Sequence, residues 1–146
     1  MARQQGWTRL VVGKMRYEQI DKELFVRNRK RLADLLEPGA MAIVHANDIL
    51  PANADGVLPF VQNRDLYYLS GVDQEETVVI IFPDAVEEKD REILFVRETS
   101  ELLSIWEGEK LSKEQAIGVS GIGQVNWSSS FEAHFHRLMP QARSVY

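Results

Sequence analysis

Apolar residues first fall into register at Leu24, Phe25, Leu32, Leu35 and Leu36, spacings that gather one stripe along a helix. Asp21 stands before the run as an N-cap, and Ile20 and Phe25 occupy the two positions of a hydrophobic staple. Pro38-Gly39 stops the pattern, so the spacing predicts a helix over 22–36. The period then changes. Residues 41–46 are almost continuously apolar and bounded by Gly39 and Asn47-Asp48, as in a strand covered on both faces. Residues 77–82 and 93–96 repeat that pattern with β-branched side chains, and the acidic turn 83–90 between them makes them neighbours. Further on, 100–106 and 113–117 read as helices and the glycine-containing stretch 118–123 as a break. A short strand at 125–127, a helix over 130–139 and a last strand near 143–146 complete the reading.

Buried apolar strands alternating with helices imply an α/β protein, a mixed β-sheet flanked by helices on both faces. The strands at 41–46 and 77–82 belong in the sheet interior. The chain of 146 residues suits one domain, taken as 19–146, after an N-terminal extension of residues 1–18. Between Asn47 and Tyr67 no period is visible, and Pro51, Gly56 and Pro59 interrupt the stretch. Segments of that length inside a small domain tend to be functional.

Composition narrows the function classes. Hydrophobic residues at 45% and charged residues at 27% describe an ordinary folding domain rather than a disordered one. A net charge of −5 repels nucleic acid and anionic membrane, so neither is an expected partner. The one basic cluster, Arg27, Arg29, Lys30 and Arg31, reads as the solvated face of the first helix. With no cysteine there is no disulfide, thiolate ligand or thiol nucleophile. The apolar runs at 40–46 and 78–82 fall far short of the roughly 20 residues of a membrane span. In residues 1–14 only Leu10-Val11-Val12 is continuously apolar, too little for a secretory segment, and a soluble, cytoplasmic protein is expected, with Met15 a second candidate start.

No catalytic set emerges from the residues themselves. His134 and His136 are two apart, a spacing that turns them to different helix faces, with no third ligand near in sequence. His45, inside an apolar strand, reads as a hydrogen-bonded core or sheet-edge histidine. Asp73, Glu75 and Glu76 read as a solvated turn, and the Gly118, Gly121 and Gly123 set lacks the order of a dinucleotide fingerprint. Ser128-Ser129-Ser130 reads as loop plus N-cap, since no nucleophile elbow or base accompanies it. What stands out is the aromatic and polar stretch NADGVLPFVQNRDLYYLSG over 53–71, read on physics alone as loop and strand whose Phe60, Leu66, Tyr68 and Leu69 fill the core. Trp106-Glu107-Gly108, at a helix-to-loop boundary, is a second candidate for an interface.

These stretches resemble the N-terminal domain of Xaa-Pro aminopeptidase (aminopeptidase P), of the creatinase/methionine-aminopeptidase superfamily. The family's long motif is matched at Ala54-Asp55, Pro59-Phe60, Gln62-Asn63, Asp65-Leu66, Tyr68-Leu69 and Gly71. The acidic turn and strand that follow it are matched over 73–82, a later strand by Leu94-Phe95-Val96, and the I-W-x-G-x-x-L stretch by Ile105-Trp106 through Gly108 to Leu111. Order and spacing agree from about Phe25 to Tyr146. Val61 stands where many relatives have Arg, Arg64 where Ser is common, Ser104 where Glu often precedes I-W, and Glu109-Lys110 where a basic pair is usual.

The resemblance implies a mixed sheet with a ribonuclease H-like motif, and a function that is not catalytic in this segment. In the family a C-terminal pita-bread domain, absent from this chain, carries two divalent metals, usually manganese, on two Asp, one His and two Glu. A hydroxide between those metals attacks the peptide bond before proline. The expected partners are therefore the protein's own catalytic domain, further copies in a dimer or tetramer, and a peptide with proline in second position. No metal or cofactor is expected in this segment. By resemblance, Asp55 and Trp106 reach from one subunit toward its neighbour's active site, where a carboxylate pairs with the peptide's ammonium and an indole covers its apolar part. Pro59, Phe60, Gln62, Asn63, Asp65, Tyr68, Gly71 and Gly108 then serve as structural motif residues. Two other readings stand beside it: a free-standing creatinase-N-like peptide- or protein-binding module, and an independent hydrolase using Asp73, Glu75 and Glu76 and a histidine. An extended downstream reading frame with an Asp, Asp, His, Glu, Glu ligand set discriminates the first reading from the second.

Overall fold

A computed structural model describes residues 18–146, with the side chains of Trp106 and Glu107 not among those described. The expectations for residues 1–17, including the extension, Met15 and the Leu10 to Val12 run, lie outside the described residues.

Helix α1 (Lys22–Leu35) starts where the pattern predicts: the Asp21 carboxylate accepts from the Glu23 amide at 3.0 Å. Phe25 is buried, with its ring 6.0 Å from that of Tyr67, while Ile20 stays 41% exposed. The stripe differs from the predicted one. Leu35 is 82% exposed, and Phe25, Asn28, Arg29 and Leu32, at helical spacings of three and four, form the inward face.

The five strands are β1 (Ala40–His45), β2 (Val78–Ile81), β3 (Glu92–Val96), β4 (Gln124–Trp127) and β5 (Ser144–Val145), in the spatial order β4-β3-β2-β1-β5. Antiparallel pairing joins β1 to β2 and β2 to β3, while β3–β4 and β1–β5 are parallel, so the sheet is mixed. The acidic turn does make β2 and β3 neighbours, with Val79 opposite Leu94. A parallel β3–β4 pair requires a crossover, supplied here by α3 (Glu101–Glu107) and α4 (Lys113–Ser120). The fourth strand runs into a single 3-10 turn and then α5 (Phe131–Leu138).

Alternation along the central strands fills two cores. Val79, Ile81, Leu94 and Val96 face α1, α4 and a further helix, α2 (Arg64–Ser70). Ile80, Phe82, Ile93 and Phe95 face Leu138, Phe131 and Phe135 of α5. Helices thus cover both faces, and the apolar runs without alternation are explained: β2 and β3 have no solvent side. Each such side chain contributes about 1.5–3 kcal/mol on full burial.

Three local readings change. The stretch 64–70 is a helix, not a strand, with Leu66 and Leu69 in the core and Tyr68 49% exposed. Helix α4 continues through Gly118 to Ser120, and the break begins at Gly121, whose φ of 72° ends the helix in the left-handed region. Arg29 leaves the solvated cluster altogether. It is fully buried, and its Nη1 donates at 2.8 Å to the carbonyls of both Leu69 and Ser120, the C-terminal ends of α2 and α4. Its Nε donates to Glu92 Oε2 at 3.0 Å. Burial pulls the guanidinium's pKa below the usual arginine value, partly offset by Glu92.

Candidate functional site

Coverage of the sheet fades toward one end. Along β1, Ala40 to Ala42 are buried, Ile43 and Val44 half-buried and His45 exposed. Strand directions bring the exits of β1, β3 and β4 and the entrance of β2 to this same end, where His45 lies opposite Val78 and Val78 opposite Phe95. His45 is accordingly not a core residue. Its ring meets Phe131 edge-on at 6.1 Å, and its carbonyl accepts from Asn63 Nδ2 at 2.9 Å.

The exit of β1 leads into a small hairpin that the sequence pattern left without structure. Pro51 bridges Val57, and the Leu58 amide donates to the Leu50 carbonyl at 2.9 Å. The Ala52 amide likewise donates to Gly56, and the Gly56 amide closes the turn on Asn53. Ala54, at φ 46°, and Asp55 form the tip, and Asp55 is exposed. Leu50, Val57, Leu58 and Val61 stay about half or more exposed along this segment.

The motif residues after the hairpin act mainly as joints. Pro59 is exposed and Phe60 half-buried. Gln62 is buried: its Nε2 donates to the carbonyls of Val72 at 3.0 Å and Gln74 at 2.9 Å, and its Oε1 accepts from the Asn63 amide. Asn63 caps α2 by accepting from the Asp65 amide at 2.9 Å, with Asp65 in the favourable first turn. Tyr68 contributes its carbonyl, which accepts from Asn28 at 2.8 Å. Gly71 closes α2 at φ 68°, with the Phe25 ring so near that a β-carbon would stand 2.3 Å from it.

The exit of β3 leads through Arg97 and Glu98 to α3, which Ser100 caps by accepting from the Leu103 amide at 3.3 Å. Leu102 and Ile105 on this helix are 75% and 74% exposed. The backbone of Trp106 lies in its last turn; the expected role of the indole concerns a side chain outside the described residues. Gly108 ends the helix at φ 81°, in open space.

Glu75 is not part of a solvated turn. Only Asp73 and Glu76 are exposed, whereas Glu75 is buried with its carboxylate receiving Lys110 Nζ and, at 3.0 Å, Arg97 Nη1. Burial pushes its pKa up, and the bonds from Lys110 and Arg97 outweigh that, so it lies below the usual glutamate value. Beside it Gln74 Oε1 accepts from the Leu111 amide at 2.9 Å. Neither contact was visible in the sequence, where the only signal was Lys110 itself inside the I-W-x-G-x-x-L stretch. An open cleft of about 880 Å³ is lined by residues 45–50 and 75–78.

The other candidates do not join this end as a catalytic set. His134 Nδ1 is bound to the Ser130 carbonyl at 2.9 Å while His136 points to Glu132, so the two rings face apart. Ser130 stands before α5 without capping it, because its hydroxyl donates back to the Trp127 carbonyl at 2.8 Å. Among the described residues no group of three or more His, Cys, Asp or Glu is arranged to hold a metal ion. No helix among them is long and apolar enough to cross a membrane.

Residues 25–146 match the family described as aminopeptidase P, N-terminal domain. The Xaa-Pro aminopeptidase of Escherichia coli is 25% identical over 128 residues, 88% of this chain and 29% of that protein. Intermediate cleaving peptidase 55 of Saccharomyces cerevisiae is 39% identical over 57 residues, which are 39% of this chain and 11% of that one. The chain thus spans less than a third of the length of these relatives. Among solved structures, Pseudomonas aeruginosa aminopeptidase PepP superposes with a TM-score of 0.75 at 27% identity, covering 82% of this chain and 27% of its own. Zinc-substituted E. coli aminopeptidase P in complex with product gives 0.75 at 25% identity, covering 88% and 29%. With the matched residues running from α1 to the last strand, this chain belongs to the aminopeptidase P N-terminal domain family.

Proposed function

We propose that this chain is the non-catalytic N-terminal domain of a longer Xaa-Pro aminopeptidase, where it shapes the substrate entrance and contributes to assembly. The observation that carries the reading is the common origin of two projecting segments. The hairpin with Asp55 at its tip and the helix bearing Trp106 both leave the same end of the sheet. An Asp and a Trp carried on segments that leave one end of the sheet suit a short peptide with a free ammonium group. Exposed Leu50, Val57, Leu102 and Ile105 on these segments support a covering partner, in this reading the catalytic domain or a further copy in a dimer or tetramer. The two divalent metals, manganese in this reading, belong to the catalytic domain and supply the hydrolytic chemistry; this chain's part is binding and orientation.

The test is made in the longer enzyme. Asp55→Ala and Trp106→Ala are each expected to lower kcat/KM for short Xaa-Pro peptides with metal content and assembly intact. The 146-residue chain alone is expected to release no amino acid from the same peptides. Unchanged kinetics in both variants, or turnover by the chain alone that survives repurification, overturns the reading.

A further inference from the structure

We propose that Glu75 is a positioning residue that fastens α3, and with it Trp106, to the end of the sheet through a charge clamp on Lys110. For its functional consequence this rests on the reading above; for its geometry it stands alone.

Among the described residues, helix α3 has few side chains that hold it to the rest of the domain. Its described side chains are exposed apart from the half-buried Ser104, whose hydroxyl donates to the Glu101 carbonyl within the helix. At seven residues it is well below the length at which a helix persists by itself in water. Gly108 ends the helix in a conformation that favours glycine, with no described atom near where a β-carbon would stand. Two residues later the chain is caught. Lys110 reaches the buried Glu75 carboxylate, and the next amide, that of Leu111, donates to Gln74 Oε1 at 2.9 Å. On the entry side Arg97, the residue directly after β3, binds the same carboxylate at 3.0 Å, with its Nε 3.9 Å from Glu76. A single carboxylate thus gathers the strand leading into α3 and the segment leading out.

The side chains of the clamp are 11%, 25% and 19% exposed for Glu75, Arg97 and Lys110. Such partial burial shields the attraction from solvent screening more than a surface pair allows. With a carboxylate removed, two half-buried cations would face each other across the same site, so the clamp fails as a unit. Among the described contacts, the Gln74 bond to the Leu111 amide would then be left to hold the segment leading out of the helix.

The test uses amide hydrogen exchange on the 146-residue chain, read at residues 104, 108 and 111, whose amides bond to the Ser100 carbonyl, the Ser104 carbonyl and Gln74. In Glu75→Gln these amides are expected to exchange roughly tenfold faster while amides of β2 and β3 keep their protection. Lys110→Met is expected to act in the same direction, and the exchanged pair Glu75→Lys with Lys110→Glu to restore part of the loss. In the longer enzyme Glu75→Gln is expected to raise KM more than it lowers kcat. Unchanged exchange at these three amides, or acceleration matched across the strands as from general destabilisation, overturns the clamp. Faster local exchange with unaltered peptide kinetics keeps the clamp and overturns only the substrate role of the helix it holds.

Discussion

Replacing Arg29 by methionine removes a fully buried cation while keeping much of its apolar stem and volume. Its guanidinium makes three charge-assisted hydrogen bonds, to Leu69, Ser120 and Glu92, each contributing about 1.5–3 kcal/mol net. Against them stands a desolvation cost of several kcal/mol for the buried ion, enlarged here because Nη2 finds no hydrogen-bond partner among the described residues. Exchanging a whole buried ion pair for apolar residues is often neutral, but that case does not apply. Two of the acceptors are main-chain carbonyls at helix C-termini, which no substitution removes, and each buried orphan costs about 1–3 kcal/mol. The balance is a loss of about 3–5 kcal/mol, a large share of the usual 5–15 for a domain. In urea unfolding followed by far-UV circular dichroism, Arg29→Met is expected to lower the midpoint strongly, whereas Arg27→Met and Arg31→Met, both exposed, stay within about 0.5 kcal/mol of wild type. An Arg29→Met midpoint indistinguishable from those two controls would refute the reasoning.

Gly71→Ala combines a left-handed backbone with a β-carbon set against the Phe25 ring, and a loss of about 2–4 kcal/mol is expected in thermal unfolding; a Tm within a degree of wild type would show that Phe25 moves aside freely. Asp90 is 1% exposed and receives Arg137 Nη1 at 2.6 Å and Nη2 at 2.9 Å. Hydrogen bonding from Arg137 holds its pKa below the usual aspartate value against the opposing effect of burial. A carboxylate with a depressed folded-state pKa stabilises above its unfolded value, about 3.9, and that contribution disappears as pH falls through the folded value. Asp90→Asn is therefore expected to be less stable than wild type at pH 7, with the gap narrowing below about pH 4; a gap constant down to pH 2 would contradict the assignment.

How much was legible in the sequence follows from how local each cause is. The α1 cap at Asp21, the unalternating β2 and β3 runs and the acidic connection between them depend on neighbours a few residues apart, and each is where the pattern puts it. Helix α2 was hidden because its buried residues are only Leu66, Leu69 and Ser70, one turn of apolar repeat interrupted by the exposed Tyr67 and Tyr68. The stretch was legible as a motif before it was legible as an element. Its cap gave the available local signal, since Asn63 followed by Asp65 is a helix start. Arg29 was misassigned by charge counting, although its offset of four from Phe25 and three from Leu32 puts it on the buried stripe. Its acceptors, 40 and 91 residues away, are invisible to any local pattern.

The same distinction governs the candidate site. Asp55 and Trp106 stand on segments whose described side chains are mostly exposed, and at the bases of those segments lies a group of buried or half-buried polar side chains that orients them. Gln62 fixes the loops at Val72 and Gln74, Asn63 ties α2 to His45, Gln74 holds Leu111, and Glu75 holds Lys110 and Arg97. A polar group in such a place destabilises the domain unless its partners are present and correctly aimed. Apolar side chains of similar size would stabilise a core equally well, but they carry no directional bond that sets where the chain leaves the sheet. The polar composition of this end is therefore better explained by orientation than by stability. It also accounts for Gln62 and Asn63 within the motif at 59–71, whose side chains bind backbone groups on either side of α2.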